Sequence, residues 1–288
     1  MKIPTKKLKN GFELPDLGLG TWKIGGGREV DTSRDSGSIE AVKKAIAMGY
    51  IHIDTAEVYG AGHCEELIGQ AIKDFPRENL IITSKVARVN LAYDDVLRAA
   101  EKSLQKLDID YIDLYYIHAP NPEISLKETI RAMDRLVSDK LVKNIAVSNF
   151  TVDLLKEAQA YSDNKIVANQ IEYSLLTRNK GSHGLPYADN VDMESKTLPY
   201  CQENDILVVA ERPLERGILL EKNELMGKMV KKYNKSYAQI AINWLISQKN
   251  VVTIPKSDNI EHLEENLGGV GWKMEEEDIE LLRQKYNN

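Results

Sequence analysis

At 288 residues the chain has room for one large α/β domain, and 42% hydrophobic with 28% charged residues is the balance of an ordinary globular protein. A net charge of −6, with bases interleaved among acids, excludes the concentrated basic face that nucleic acid requires. An uncharged apolar run of about 18 residues is missing, so a membrane span is not expected.

The first fifteen residues, MKIPTKKLKNGFELP, contain no apolar stretch of the kind a secretory signal needs, and a cytoplasmic protein is expected. Asn10-Gly11, between Lys7–Lys9 and Phe12–Leu14, reads as the turn of an N-terminal hairpin. Short runs rich in Ile, Val and Leu then recur, at Leu17–Gly20, Tyr50–Asp54, Leu80–Lys85, Ile112–His118, Val142–Ser148, Val167–Glu172, Ile206–Ala210 and Val251–Pro255. They show little polar alternation, as strands of a parallel sheet buried on both faces do not. Amphipathic stretches separate them at Ser38–Met48, Glu65–Phe75, Tyr93–Leu107, Leu126–Asp139, Val152–Tyr161, Ser195–Asn204 and Tyr237–Gln248, with a final helix at Glu275–Lys285. Eight such strands alternating with helices, and no linker, predict an α/β fold of one domain spanning residues 1–288. It is a (β/α)8 TIM barrel with the hairpin capping its bottom. The polar segment Leu175–Thr197, with Gly181, Gly184 and Pro186, is expected to form a loop over the barrel mouth.

In such a barrel the active site lies at the C-terminal ends of the strands, so the residue closing each strand matters most. The second strand ends in Asp54 and is followed by Tyr59; the third ends in Lys85, the fourth in His118, the fifth in Ser148-Asn149, and the sixth carries Asn169-Gln170. A free phenol titrates near 10 and is a poor acid or base at neutrality. A lysine ammonium beside Tyr59 lowers that value, and Asp54 holds the ammonium; His118 is then placed to orient a substrate oxygen. Each residue also has a plainer reading. Asp54–Lys85 suits a structural ion pair, Tyr59 loop packing, His118 a core histidine and Ser148-Asn149 a helix N-cap. Their joint arrival at one rim, in strand order, favours chemistry. The cysteines Cys64 and Cys201 form no CxxC pair and read as free thiols. The histidines His52, His63, His118, His183 and His262 lack HxxxH or HExxH spacing, so no metal is expected.

These segments resemble an aldo-keto reductase along nearly the whole chain, from Leu17-Gly18-Leu19-Gly20-Thr21-Trp22 to Ile254-Pro255-Lys256-Ser257 and Glu265-Asn266. Gly49-Tyr50-Ile51-His52-Ile53-Asp54-Thr55-Ala56, Asp113-Leu114-Tyr115-Tyr116-Ile117-His118 and Val147-Ser148-Asn149-Phe150 carry the resemblance in the family's order. It implies a catalytic tetrad of Asp54, Tyr59, Lys85 and His118, with Ser148, Asn149 and Gln170 on a nicotinamide carboxamide. It places Lys256 and Ser257 on the 2′-phosphate of NADPH, Glu265 and Asn266 on adenine, and Gly20, Thr21 and Trp22 in a first loop near cofactor and substrate. NADPH/NADP+ is the implied cofactor, with NADH also admitted, and a small carbonyl or alcohol the substrate of a monomer.

The chain departs from the family pattern in three places. Glu211 stands where an aromatic residue stacks on nicotinamide, followed by Arg212, which is able to neutralise it; His262 replaces an arginine of the 2′-phosphate site; and Ala119 follows the catalytic histidine in place of tryptophan. With a short C-terminus, the last feature predicts an open, tolerant pocket. Two rivals are a catalytically silent nucleotide-binding barrel acting as a regulatory module, and a phosphate-binding isomerase or aldolase. The complete tetrad argues against the first. The missing glycine-rich phosphate loop after the seventh and eighth strands argues against the second.

Overall fold

The computed structural model describes residues 2–181, 192–221 and 224–285. The chain opens with an antiparallel hairpin, β1 (Thr5–Lys7) against β2 (Glu13–Pro15). The turn is longer than a two-residue Asn-Gly loop. Leu8 N bonds Phe12 O at 2.8 Å, Phe12 N bonds Asn10 Oδ1 at 3.0 Å, and Gly11 takes φ +94°, a conformation open to glycine at little cost.

The parallel strands follow as β3 (Leu19–Gly20), β4 (His52–Asp54), β5 (Ile81–Val86), β6 (Ile112–Ile117), β7 (Val142–Ser148), β8 (Ile166–Glu172), β9 (Leu207–Glu211) and β10 (Val251–Thr253). Each pairs in parallel with the next, so spatial order repeats chain order. The ring closes at the seam between first and last. Leu17 bridges Thr253, Gly20 bridges Lys256, and Gly20 N bonds Pro255 O at 3.1 Å. Gly20 is required there, because a Cβ would lie 2.6 Å from the Ile254 carbonyl oxygen. The expected eight-stranded barrel is therefore present.

Side chains alternate across the strands as the pleat demands. On β6, Leu114 and Tyr116 point into the barrel while Tyr115 and Ile117 meet the helices; on β9, Leu207 and Val209 point inward and Val208 and Ala210 outward. The hairpin sends Leu8 and Leu14 into the interior cluster with Leu114, Tyr116, Val209 and Val252, plugging the end opposite the strand C-termini. The cap is also fastened by polar groups, Lys9 N to Asp205 Oδ2 at 2.8 Å and Lys6 Nζ to Ile246 O at 2.6 Å.

Among the described residues the helices are α1 (Asp35–Met48), α2 (His63–Ile72), α3 (Tyr93–Leu107), α4 (Leu126–Ser138), α5 (Val152–Tyr161), α6 (Leu198–Glu203), α7 (Glu224–Tyr233), α8 (Tyr237–Ile246), α9 (Ile260–Leu267) and α10 (Glu276–Lys285). Two, α7 and α9, were not expected from the sequence pattern. Gly227 interrupts the first, and the second is short and begins at an asparagine cap, Asn259, whose Oδ1 accepts from Glu261 N and His262 N. The expected helix Ser195–Asn204 starts instead as a single π-turn, Met193–Thr197, leading into α6. Pro199 lacks an amide hydrogen and is accommodated in the first turn of α6. The centre of the expected mouth loop, including His183, Gly184 and Pro186, lies outside the described residues. Among the described residues no helix is long and apolar enough to cross a membrane.

Candidate active site

Asp54 closes β4, and the preceding chain explains how it arrives there. Helix α1 ends at Gly49, whose φ of +116° turns the chain so that Tyr50 and β4 re-enter the sheet. Lys85 lies near the end of the adjacent β5, and both side chains are wholly buried. Lys85 Nζ bonds Asp54 Oδ1 and, at 2.9 Å, the Thr55 carbonyl. The second carboxylate oxygen of Asp54 accepts from Gln170 Nε2 at 2.9 Å. A buried charge pair is stable only when its remaining lone pairs and protons are satisfied, and Thr55 and Gln170 serve that need. Gln170 thus touches Asp54 directly, a contact that sequence reasoning did not anticipate; Thr55 was likewise missed, since its part is played by a backbone oxygen.

Tyr59 stands over this pair, its ring centroid 5.2 Å from Lys85 Nζ. Trp22 packs edge-on against it at 4.9 Å and His118 at 5.8 Å. Trp22 is 39% exposed, so the aromatic cluster opens to solvent on its side. The tyrosine's environment differs from the expected one. Burial pushes its pKa well above the usual 10, the Asp54 and Glu211 carboxylates and the Cys64 sulfur push it further, and Arg212 pulls it down. Lys85 is committed to Asp54, so its charge is largely cancelled toward the phenol, which is held protonated at neutral pH. The core histidine of the sequence is His52. It is fully buried, bonds Thr83 Oγ1 at 3.0 Å, and is pushed down to about 4 by burial.

Thr21, from the first loop, donates Oγ1 to the Asp54 carbonyl at 2.8 Å, while the thiol of Cys64 reaches Thr21 Oγ1 at 3.3 Å. Burial pushes that thiol up to about 11. Both Cys64 and Cys201 are free and buried.

Beyond His118, Ser148 and Asn149 follow on β7 and its loop. They are not the helix cap, for Thr151 Oγ1 accepts from Leu154 N at the start of α5. Asn149 holds φ +62°, in the left-handed region that asparagine tolerates better than most residues. Its Nδ2 donates to His118 O at 3.3 Å and Ser148 Oγ at 3.0 Å. Its Oδ1 is buried without a hydrogen-bond partner among the described residues.

Glu211 ends β9 in register with the buried Glu172, and Arg212 Nη1 meets Glu172 Oε1 at 3.0 Å. Across the seam from the first loop, Lys256 is exposed and Ser257 buried in the loop after β10. His262, Glu265 and Asn266 lie on α9, respectively exposed, half-buried and buried. The rim thus carries two groups: Trp22, Asp54, Tyr59, Lys85, His118, Ser148, Asn149 and Gln170 with Glu211 at one part, and Lys256 to Asn266 at another, with Gly20 and Thr21 between.

The Aldo/keto reductase family model matches residues 16–287. The glyoxal reductase of Bacillus subtilis (strain 168) is 37% identical over 280 residues, covering 96% of this chain and 91% of that protein. The methylglyoxal reductase YeaE of Escherichia coli (strain K12) is 31% identical over 278 residues, covering 95% and 91%. Among solved structures, the thermostable aldo-keto reductase Tm1743, in complex with the inhibitor epalrestat, superposes with a TM-score of 0.90 at 46% identity, covering 98% of this chain and 99% of that one. An aldo-keto reductase from Klebsiella pneumoniae in complex with NADPH superposes with a TM-score of 0.85 at 29% identity, covering 99% and 96%. The closed barrel, its rim of polar residues and these likenesses agree: the chain belongs to the aldo/keto reductase family.

Proposed function

We propose that this chain is an NADPH-dependent reductase of small aldehydes and ketones, with Tyr59 as the general acid. The observation that carries the reading is the buried Lys85–Asp54 pair lying beneath Tyr59, against which Trp22 and His118 both pack edge-on. Relatives named for glyoxal and methylglyoxal support a small carbonyl substrate, as does Ala119, which leaves one wall of the site low.

The cofactor fits the residues present. The Asn149 amide oxygen is buried and without a partner among the described residues, and a carboxamide NH2 is the donor it lacks. Ser148 and Asn149 hold the nicotinamide end. Gln170 supports that face while bonded to Asp54, and Lys256 and Ser257 take the 2′-phosphate. Glu265 and Asn266 serve the adenine. When bound, the nicotinamide supplies the hydride that reduces the carbonyl carbon. Tyr59 Oη then gives its proton to the carbonyl oxygen, and His118 donates a hydrogen bond that orients the same oxygen. Asp54 fixes the Lys85 ammonium beneath the ring, and Arg212 is the cation that favours the phenolate left after proton transfer. Burial keeps the Tyr59 phenol protonated well beyond neutral pH.

Tyr59→Phe keeps the ring and its packing but removes the proton. Carbonyl reduction by this variant is expected to fall at least a hundredfold, the size of a general-acid contribution. NADPH affinity, followed by fluorescence titration, should stay within a factor of a few. A variant that keeps most of the wild-type rate would reject the assignment.

A further inference from the structure

The loop that carries Lys256 holds an ion cluster of which only Lys256 has a part in the reading above. Lys256 Nζ bonds Asp258 Oδ1 at 3.0 Å, and Arg34 Nη1 meets Asp258 Oδ2 at 3.2 Å. Lys256 and Asp258 lie between β10 and α9, whereas Arg34 comes from the opposite side of the barrel seam, as the residue that precedes α1. The seam unites them because β3 and β10 are neighbours, with Gly20 bridging Lys256. The carboxylate is the inner member, its side chain 18% exposed, and the guanidinium the outer one at 73%. The two cations hold the Asp258 carboxyl below its usual range even though partial burial, the largest single influence, acts the other way.

We propose that Arg34 is the second cation of the 2′-phosphate subsite, and that Asp258 is an internal anion which occupies Lys256 and Arg34 until the phosphate takes its place. This rests on the NADPH reading above and adds residues from outside the Lys256–Asn266 stretch. A 2′-phosphate is a dianion that one ammonium serves poorly. A guanidinium presents a planar fork that binds phosphate oxygens in pairs. His262, the expected position for a second base, carries an imidazole and so lacks that planar fork. Arg34 supplies the fork from across the seam. The Arg34 guanidinium is 73% exposed, so water screens its pair with Asp258, and exchanging that pair for charge-assisted contacts to a dianion favours the phosphate. Asp258 remains beside the site as a like charge, so it limits the advantage of a phosphorylated nucleotide over an unphosphorylated one.

The comparison that tests this is adenosine 2′,5′-bisphosphate against AMP, which differ by the 2′-phosphate alone. Calorimetric titration of the full chain and its variants at low salt reads the affinity ratio without any turnover. Arg34→Ala is expected to weaken the bisphosphate about tenfold, the loss of one hydrogen bond to a charged group, with AMP unchanged. Arg34→Lys should recover part of that loss, because it restores the charge without the fork. Asp258→Asn is expected to tighten the bisphosphate several-fold and again leave AMP alone. If Arg34→Ala leaves the ratio at its wild-type value, or weakens both ligands equally, Arg34 does not read the phosphate. Weaker bisphosphate binding by Asp258→Asn would overturn the role given to Asp258. Titration of the wild type with NADP+ separates the two levels. No binding there defeats the NADPH reading itself, whereas NADP+ binding with an unchanged variant ratio defeats this inference alone.

Discussion

Tyr59 lies among opposing influences whose sum sets the protonation of its phenol. Burial is the strongest, and Asp54, Glu211 and Cys64 act with it, so the phenol stays protonated well past its ordinary range; Arg212 alone opposes them. Carbonyl reduction needs the protonated form. Its kcat is therefore expected to be level across neutral pH and to decline only in the strongly alkaline range. Alcohol oxidation needs the phenolate and should rise with pH over the same interval. Glu211→Gln removes one of the raising charges, so the alkaline decline of reduction should begin at lower pH than in the wild type. The same change should weaken NADP+ more than NADPH, since a carboxylate facing the ring favours its cationic form. Paired pH profiles and two dissociation constants test this. An unchanged profile with both affinities intact would place Glu211 outside the site.

At the scale of elements, α1 and α2 are joined by one histidine. His63 Nδ1 meets Glu66 Oε2 at 2.8 Å, and Nε2 meets Asp35 Oδ2 at 2.9 Å, linking the first turns of α1 and α2 close to Tyr59. The bond to Glu66 raises the His63 pKa, partial burial lowers it, and Asp35 raises it again; the net shift is upward. A histidine raised on folding adds stability that is fully present below its unfolded value of about 6.5 and is lost as pH rises through the higher folded value. His63→Gln is expected to lower the urea midpoint at pH 6 and to have little effect at pH 9. Glu66 is half exposed, so the loss at pH 6 should not exceed about 1 kcal/mol. An equal loss at both pH values would mean that packing, not charge, is the source. The strands and most helices were legible because apolar runs and amphipathic spacing survive in the sequence. The two missed helices, α7 and α9, are those where Gly227 or shortness weakens that signal.

The whole molecule is organised by a closed ring plugged at one end and lined with polar residues at the other. Leu14 is fully buried and sits among Leu114, Tyr116, Val209 and Val252 inside the barrel. Leu14→Ala leaves a cavity that the surrounding strands cannot fill, and a cost of about 2–5 kcal/mol is expected by chemical denaturation. Because the plug lies opposite the strand C-termini, NADPH affinity of the folded fraction should be unchanged. A Leu14→Ala protein as stable as the wild type would show that the hairpin is not a structural part of the core.

The sequence by itself determined the order of the strands, the barrel and the residues that reach its rim. Each of these follows from local pattern: apolar runs set strands, 3.6-residue spacing sets helices, and a residue at a strand end must face the mouth. Tertiary structure alone decided how those residues share their bonds. Gln170 bonds Asp54, Lys85 is spent on Asp54 and Thr55, and Thr151 rather than Ser148 caps α5. It also decided that Arg34 and Asp258, 224 positions apart in the chain, form one ion pair. No local pattern carries such information. Charge, burial and hydrogen-bond capacity are settled by neighbours that only ring closure supplies, and closure at the seam is a property of the first strand and the last together.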